Sequence, residues 1–224
     1  MDEAALLKRL EEIAAAGATP SLGIVGGTFD PIHTGHTALA SAAARELDLD
    51  GLLFVPAGVP SFKRDRRLAS AADRLAMARL ATASLPSAAV SEREVDRPGI
   101  TYAVDTLRAL AADVPPSTRL VYVMGADTLA SLPQWCHAAE VAALSEVAVA
   151  GRAGSEGVAE ALEALDRAGL PVRVHELAAA VPQVSSTDLR AQLAQGTVAP
   201  GLLDPAVYAY IVDHHLYGVA PRSR

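Results

Sequence analysis

Apolar residues along the chain fall into two spacings. At residues 1–16, Leu6, Leu7, Leu10 and Ile13 recur at three and four, which predicts a helix with one buried face, ended by Gly17 and Pro20. Short runs that are apolar almost throughout follow at Leu22–Val25, Leu52–Pro56, Arg119–Met124, Glu146–Ala150 and Val172–Glu176, with Ala88–Val95 as a candidate edge strand. Between them lie segments of helical period. These are Thr37–Leu47, a helix opened by Ser70 with Leu75, Met77, Leu80 and Ala81 inward, Thr101–Ala112, helical or turn segments over Leu129–Ala143, Val158–Ala168, Ser185–Gln195 and Pro205–His215. Ser70 and Asp73 have capping-box spacing. Strands of about five residues alternating with longer helices predict an α/β fold, a doubly wound and mainly parallel sheet. Strands buried on both faces explain the continuous apolar runs.

In such a sheet, ligands bind at the carboxyl ends of the strands. Gly26, Pro56, Gly125 and Gly151 each follow a predicted strand. The topology therefore gathers Thr28, His33, His36, Lys63, Asp127 and Arg152 at one edge. The densest stretch there is I-V-G-G-T-F-D-P-I-H-T-G-H, residues 24–36. A strand breaks at two glycines, turns through Asp30-Pro31 and delivers two histidines just before a helix. Glycines let backbone N–H groups approach an anion, and imidazoles add donors, so the stretch reads as a phosphate-handling turn. Each part alone is an ordinary turn feature, and the combination carries the reading. Zinc is not expected: no acidic third ligand or His-x3-His spacing accompanies the pair.

Composition narrows the class. The chain has 224 residues, 51% of them hydrophobic, a net charge of -7 and a single cysteine. That suffices for a sizeable core, argues against a general nucleic-acid binder and excludes an intramolecular disulfide framework. With no leader pattern and no long uncharged run, a cytoplasmic protein with no membrane partner is expected, its oligomeric state, monomer or homo-oligomer, left open. The segment Pro56–Arg67, rich in glycine, proline and positive charge, is a candidate mobile loop.

A second stretch, V-S-S-T-D-L-R at residues 184–190, places Ser185, Ser186 and Thr187 at a helix start, with Arg190 one turn from Ser186. Ser185 with Asp188 is equally a plain capping box. Paired with the first stretch, a bipartite triphosphate cradle is the better account. Lys63 fits either a solvated basic run or a phosphate ligand. Asp127 fits either a helix cap or an acceptor for ribose hydroxyls, and Arg152 either a surface ion-pair partner or a phosphate ligand. Trp135, in a Pro-initiated turn, is either core or an exposed indole that stacks on a flat ring. No Walker lysine and no serine elbow is present. Direct attack of one phosphate on the α-phosphorus of a nucleotide needs only alignment and neutralisation of charge, which two histidines, a lysine, an arginine and Mg²⁺ can supply.

G-G-T-F-D-P-I-H-T-G-H resembles the first motif of the nucleotidyltransferases with an H/T-x-G-H signature, and V-S-S-T-D-L-R their second. The blocks P-A-G-V-P-S-F-K, R-L-A-M, T-Y-A-V-D-T-L, M-G-A-D-T-L, P-Q-W and Y-I-V-D-H-H-L-Y-G are similar to the bacterial nicotinate-nucleotide adenylyltransferases within that superfamily. The resemblance implies a single Rossmann-like nucleotidyltransferase domain over residues 21–218, behind an N-terminal helical extension over 1–20. It implies AMP transfer from ATP to nicotinate mononucleotide, with Mg²⁺ held mainly by the phosphates and by no protein ligand. By position it implies an ATP site at Gly26, Gly27, Thr28, Phe29, His33, His36 and Lys63, closed by Ser185, Ser186, Thr187 and Arg190, with Gly125 and Asp127 beside the ribose. His33, His36, Lys63 and Arg190 would carry the transfer. The mononucleotide would lie against Thr101, Tyr102, Ala103, Trp135 and Cys136, with its ring on Trp135, its carboxylate on the backbone N–H groups of Ala103 and Cys136, and its phosphate on Arg152. Ala103 stands where Thr is frequent and Cys136 where an aromatic is frequent, so only their backbones are assigned. Rival readings are transfer to nicotinamide mononucleotide or phosphopantetheine, and a nucleotide-binding module without turnover.

Overall fold

A computed structural model describes residues 1–60, 68–151 and 156–219. In chain order the elements are α1 (Glu3–Ala15), β1 (Ser21–Gly27), α2 (Thr34–Glu46), β2 (Gly51–Pro56), β3 (Val59–Pro60), α3 (Ala71–Thr82), β4 (Ala88–Val90), β5 (Ile100–Thr101), α4 (Ala103–Asp113), β6 (Arg119–Gly125), α5 (Ala126–Ser131), α6 (Ala138–Leu144), β7 (Glu146–Ala150), α7 (Glu156–Arg167), β8 (Val174–Leu177), α8 (Ser186–Gln195) and α9 (Pro205–Asp213). Six strands form one sheet in the order β4-β2-β1-β6-β7-β8, every pairing parallel. Chain order reverses between β1 and β6. That is the switch point at which a doubly wound sheet opens a crevice at its strand ends.

Alternation along the strands splits the core into two layers. Leu22 and Ile24 of β1, Leu120, Tyr122 and Met124 of β6, and Val147 and Val149 of β7 join Leu6 and Leu10 of α1 and Leu107 and Leu110 of α4. On the opposite face Val25, Val121, Val123 and Ala148 meet Ala40 and Ala43 of α2, Met77 of α3, Leu189 of α8 and Ile211 of α9. Alanine on α2 lets that helix lie close to the sheet. At the other end of the strands from the crevice, Leu6 packs over Gly51 at the start of β2. The N-terminal helix is thus part of the hydrophobic core. Among the described residues no helix is long and apolar enough to cross a membrane.

Several expected boundaries shift for identifiable reasons. The helix predicted from Thr37 begins at Thr34, because His33 is extended and serves as its N-cap, which draws His36 into the first turn. Ala88–Val95 is a strand only to Val90, where pairing with Leu52–Phe54 ends; Asp96 N–H then closes a turn on the Glu92 carbonyl at 2.9 Å. The helix predicted from Thr101 begins at Ala103, since Ile100 and Thr101 pair with Val59 and Pro60 as a two-residue bridge. Ser70 caps α3 as expected, its Oγ accepting from the Asp73 N–H at 3.0 Å. On that helix Leu80 is only partly buried, while Arg74 is buried.

Candidate active site

A cavity of about 450 Å³ opens at the switch point, a size suited to small-molecule ligands. One wall is the turn after β1. Gly26, Gly27, Thr28, His33, Gly35 and His36 line it. Glycine is required at two of these positions by close approach: a Cβ on Gly26 would run into the Tyr122 hydroxyl, and one on Gly35 would lie 3.1 Å from the His33 ring and 2.9 Å from the Pro182 carbonyl. The two imidazoles stack, ring centroids 3.7 Å apart and 25° from parallel. Phe29 packs edge-on beneath His36 at 5.1 Å.

Local hydrogen bonding fixes the state of the pair. His36 Nδ1 accepts from the His33 backbone N–H at 3.2 Å. The neutral His36 ring therefore carries its proton on Nε2, as a donor on a side chain that lines the cavity. His33 is 7% exposed, and burial lowers its pKa to about 4. Neutral His33 can stack on His36 without like-charge repulsion. Among the described residues its buried Nδ1 has no hydrogen-bond partner.

The opposite wall comes from β6, α4 and the turn after α5. Tyr122, Trp135, Cys136, Thr101, Tyr102 and Ala103 line it. Trp135 stands edge-to-face with Tyr122 at 5.5 Å, and its Nε1 donates to Ser131 Oγ at 3.1 Å. Ala103 is the first residue of α4, so its backbone N–H is one of the donors a helix leaves unbonded at its start. Gly125 and Asp127, at the end of β6 and the first turn of α5, also line the cavity, and Asp127 is exposed.

Other expected site residues stand elsewhere. The Phe29 side chain is buried in the core, which leaves only its backbone for a ligand. Val181 to Val184 reach the cavity, but the hydroxyls that follow turn onto the protein. Ser185 caps α8, Ser186 Oγ donates to the Pro31 carbonyl at 3.1 Å, and Arg190 donates to the Asp30 carbonyl at 2.6 Å and to Thr187 Oγ1 at 3.1 Å. These contacts hold the turn after β1 from behind. Lys63 and Arg152 lie outside the described residues, as does most of the candidate mobile loop; its first part is anchored, Ala57 and Gly58 both accepting hydrogen bonds from Arg74.

Sequence reasoning missed three residues here. Tyr122 interrupts an aliphatic strand and puts a hydroxyl between the two walls; burial raises its pKa. Glu94, 8% exposed, lines the cavity and accepts from Thr106 Oγ1 at 2.7 Å; burial raises its pKa against the opposing pull of the Thr106 and Thr101 hydroxyls and Arg97. Arg74 is a charged residue at an inward helical position, and that misplacement is the signal that could have found it. Among the described residues no cluster of three or more His, Cys, Asp or Glu could hold a metal ion.

Comparison with known proteins agrees with this geometry. A family model described as cytidylyltransferase-like matches residues 24–192. A Synechococcus protein named "Probable nicotinate-nucleotide adenylyltransferase" is 42% identical over 196 residues, 88% of this chain and 94% of its own length. A Bordetella pertussis protein of the same name is 40% identical over 196 residues, covering 88% of this chain and 97% of its own. In fold the chain is similar to the Plasmodium falciparum nicotinic acid mononucleotide adenylyltransferase complexed with NaAD, with a TM-score of 0.71 at 15% identity over 90% of this chain and 98% of that one. With identity of this order sustained over nearly all of both chains, the protein belongs to the nicotinate-nucleotide adenylyltransferase family, within the cytidylyltransferase-like nucleotidyltransferases.

Proposed function

We propose that the protein transfers the adenylyl group of ATP to nicotinate mononucleotide, giving deamido-NAD and pyrophosphate, a step of NAD biosynthesis in the cytoplasm. The observation that carries the reading is one cavity with two unlike walls. A stacked imidazole pair over a glycine turn faces an indole beside the start of a helix. The first wall suits a triphosphate, the second a flat anionic ring. Family membership supports the pairing, as does the related Plasmodium protein, whose structure was determined with NaAD.

In this mechanism an oxygen of the mononucleotide phosphate attacks the α-phosphorus in line. The bond from the α-phosphorus to the bridging oxygen breaks, and its electron pair leaves with pyrophosphate. The attacking phosphate is already ionised, so no general base is needed. His36 donates Nε2–H to the α-phosphate oxygen as negative charge gathers there. His33 and Lys63 hold the β- and γ-phosphates, while Ser186 and Arg190 serve the leaving group through the turn after β1, which they hold from behind, with Ser185 capping α8 and Thr187 supporting Arg190. Gly125 and Asp127 receive the ribose. Trp135 stacks on the nicotinate ring beside Thr101 and Tyr102, the N–H groups of Ala103 and Cys136 hold the carboxylate, and Arg152 holds the acceptor phosphate. The donors on the described phosphate wall are N–H groups and hydroxyls, which suit phosphate oxygens, so Mg²⁺ belongs on the triphosphate and would neutralise its charge there.

Trp135→Ala tests the two-wall reading. Losing the stack should raise KM for nicotinate mononucleotide about 10-fold, the scale of one ring–aromatic stack, and leave KM for ATP within about 2-fold. Equal changes for both substrates would remove the indole from the acceptor wall.

A further inference from the structure

Arg74 is 2% exposed and is the largest side chain buried to that depth. Among the described residues its hydrogen-bond partners are all backbone carbonyls, and the Asp30 and Glu94 carboxylates act on its charge. Nη1 donates to Thr28 O at 2.8 Å and Ala57 O at 2.5 Å, Nη2 to Gly58 O at 2.7 Å, and Nε to Ala69 O at 3.2 Å. Thr28 belongs to the turn after β1, Ala57 and Gly58 to the turn after β2, and Ala69 to the approach to α3. One planar fork thus ties the turns after β1 and β2 to the start of α3.

A buried charge is costly, and a fold that needed only packing here could use an aliphatic side chain on α3. The fork has a more specific consequence. In a trans peptide the C=O and N–H of one unit point in opposite directions. Carbonyls gathered by the guanidinium therefore turn the N–H groups of Phe29, Gly58 and Val59 away from it. Thr28 and Ala57 both line the cavity. A positive charge at the carbonyl ends also polarises the N–H ends and strengthens them as anion donors.

We propose that Arg74 is a positioning residue for adenylyl transfer: from behind, its guanidinium clamps the turn after β1 to the turn after β2 and so fixes the backbone donors on the phosphate wall. This rests on reading that wall as the triphosphate site. Lysine replaces it only in part, because an ammonium keeps the charge but lacks the rigid fork that spans separated carbonyls. Among the described residues Arg74 makes no hydrogen bond to Trp135 or Ala103 of the opposite wall.

The test compares wild type with Arg74→Lys and Arg74→Gln. Thermal unfolding sets a temperature at which each is folded. Calorimetry then measures Kd for α,β-methylene ATP, and steady-state kinetics measure kcat and the two KM values. The expected result is a lower Tm, a Kd for the ATP analogue weakened about 10-fold or more, reduced kcat, and KM for nicotinate mononucleotide within about 2-fold, with Lys retaining more activity than Gln. An unchanged Kd and kcat in a folded variant overturns the proposal. So do equal losses for both substrates, or failure of both variants to fold, which would assign the guanidinium to the fold alone. Wild type that binds the analogue in an Arg74-dependent way yet makes no deamido-NAD would overturn the acceptor assignment and leave the clamp standing. Wild type that does not bind the analogue overturns both.

Discussion

At the scale of single residues, two histidines share the turn after β1 and are held there by different means, one by a hydrogen bond and one by burial. His36 is oriented by the His33 backbone N–H, which leaves its proton on Nε2. His36→Ala should leave the fold intact and lower kcat by about 10²-fold, the scale of one lost transition-state donor; turnover at the wild-type rate would remove that role. His33 is governed by burial. Its imidazole titrates near 6.5 when unfolded and at about 4 when folded. Between those values the unfolded chain binds more protons, so stability is fully present above pH 6.5 and falls as pH drops toward 4. The contribution is on the order of 3 kcal/mol. Urea unfolding from pH 7.5 to 3.5 should show a shallower acid slope for His33→Gln than for wild type, and matching slopes would mean that the imidazole is not buried neutral. Arg74, by contrast, acts through carbonyls. Its charge at an inward helical position is a sequence signal, but which carbonyls it gathers depends on the fold.

At the scale of elements, strands and helices were readable from periodicity because burial on two faces imposes it. Glu146–Ala150 is reproduced to the residue and α8 with its Ser185 cap to within one. The misses lie where a tertiary contact overrides local pattern. Thr34, Gly35 and His36 enter α2 because His33 caps it, and β4 stops where its partner strand runs out. The second phosphate stretch was readable as a helix start, but its inward turn onto Pro31 and Asp30 depends on residues more than 150 positions away. The N-terminal helix is the clearest case. Its stripe was evident, yet only the fold shows Leu6 and Leu10 fully buried, with Arg93 pairing Glu3 of α1 to Asp113 of α4. Leu10→Ala should cost about 2–5 kcal/mol, the range for a buried leucine, with KM for both substrates unchanged because α1 packs at the far end of the strands from the cavity. A loss below about 0.5 kcal/mol in denaturant unfolding would show that the helix is a detachable extension after all.

At the scale of the whole molecule, the parallel sheet does the positioning. Reversal of strand order between β1 and β6 opens the crevice, and the same edge receives the glycine turn from one side and Trp135 and α4 from the other. The net charge of -7 does not by itself exclude an anionic substrate, because local donors can recognise one inside an acidic protein. Adenylyl transfer to nicotinate mononucleotide is the proposed reaction. The most direct measurement is pyrophosphate release by the purified protein with Mg-ATP, offered nicotinate mononucleotide, nicotinamide mononucleotide and phosphopantetheine in parallel. A preference for nicotinate mononucleotide of about 10²-fold or more in kcat/KM is predicted, since a site built to hold a carboxylate on backbone donors strongly rejects an analogue that cannot use them. Equal or greater turnover of the amide or of phosphopantetheine, or no pyrophosphate with any of the three, would contradict it.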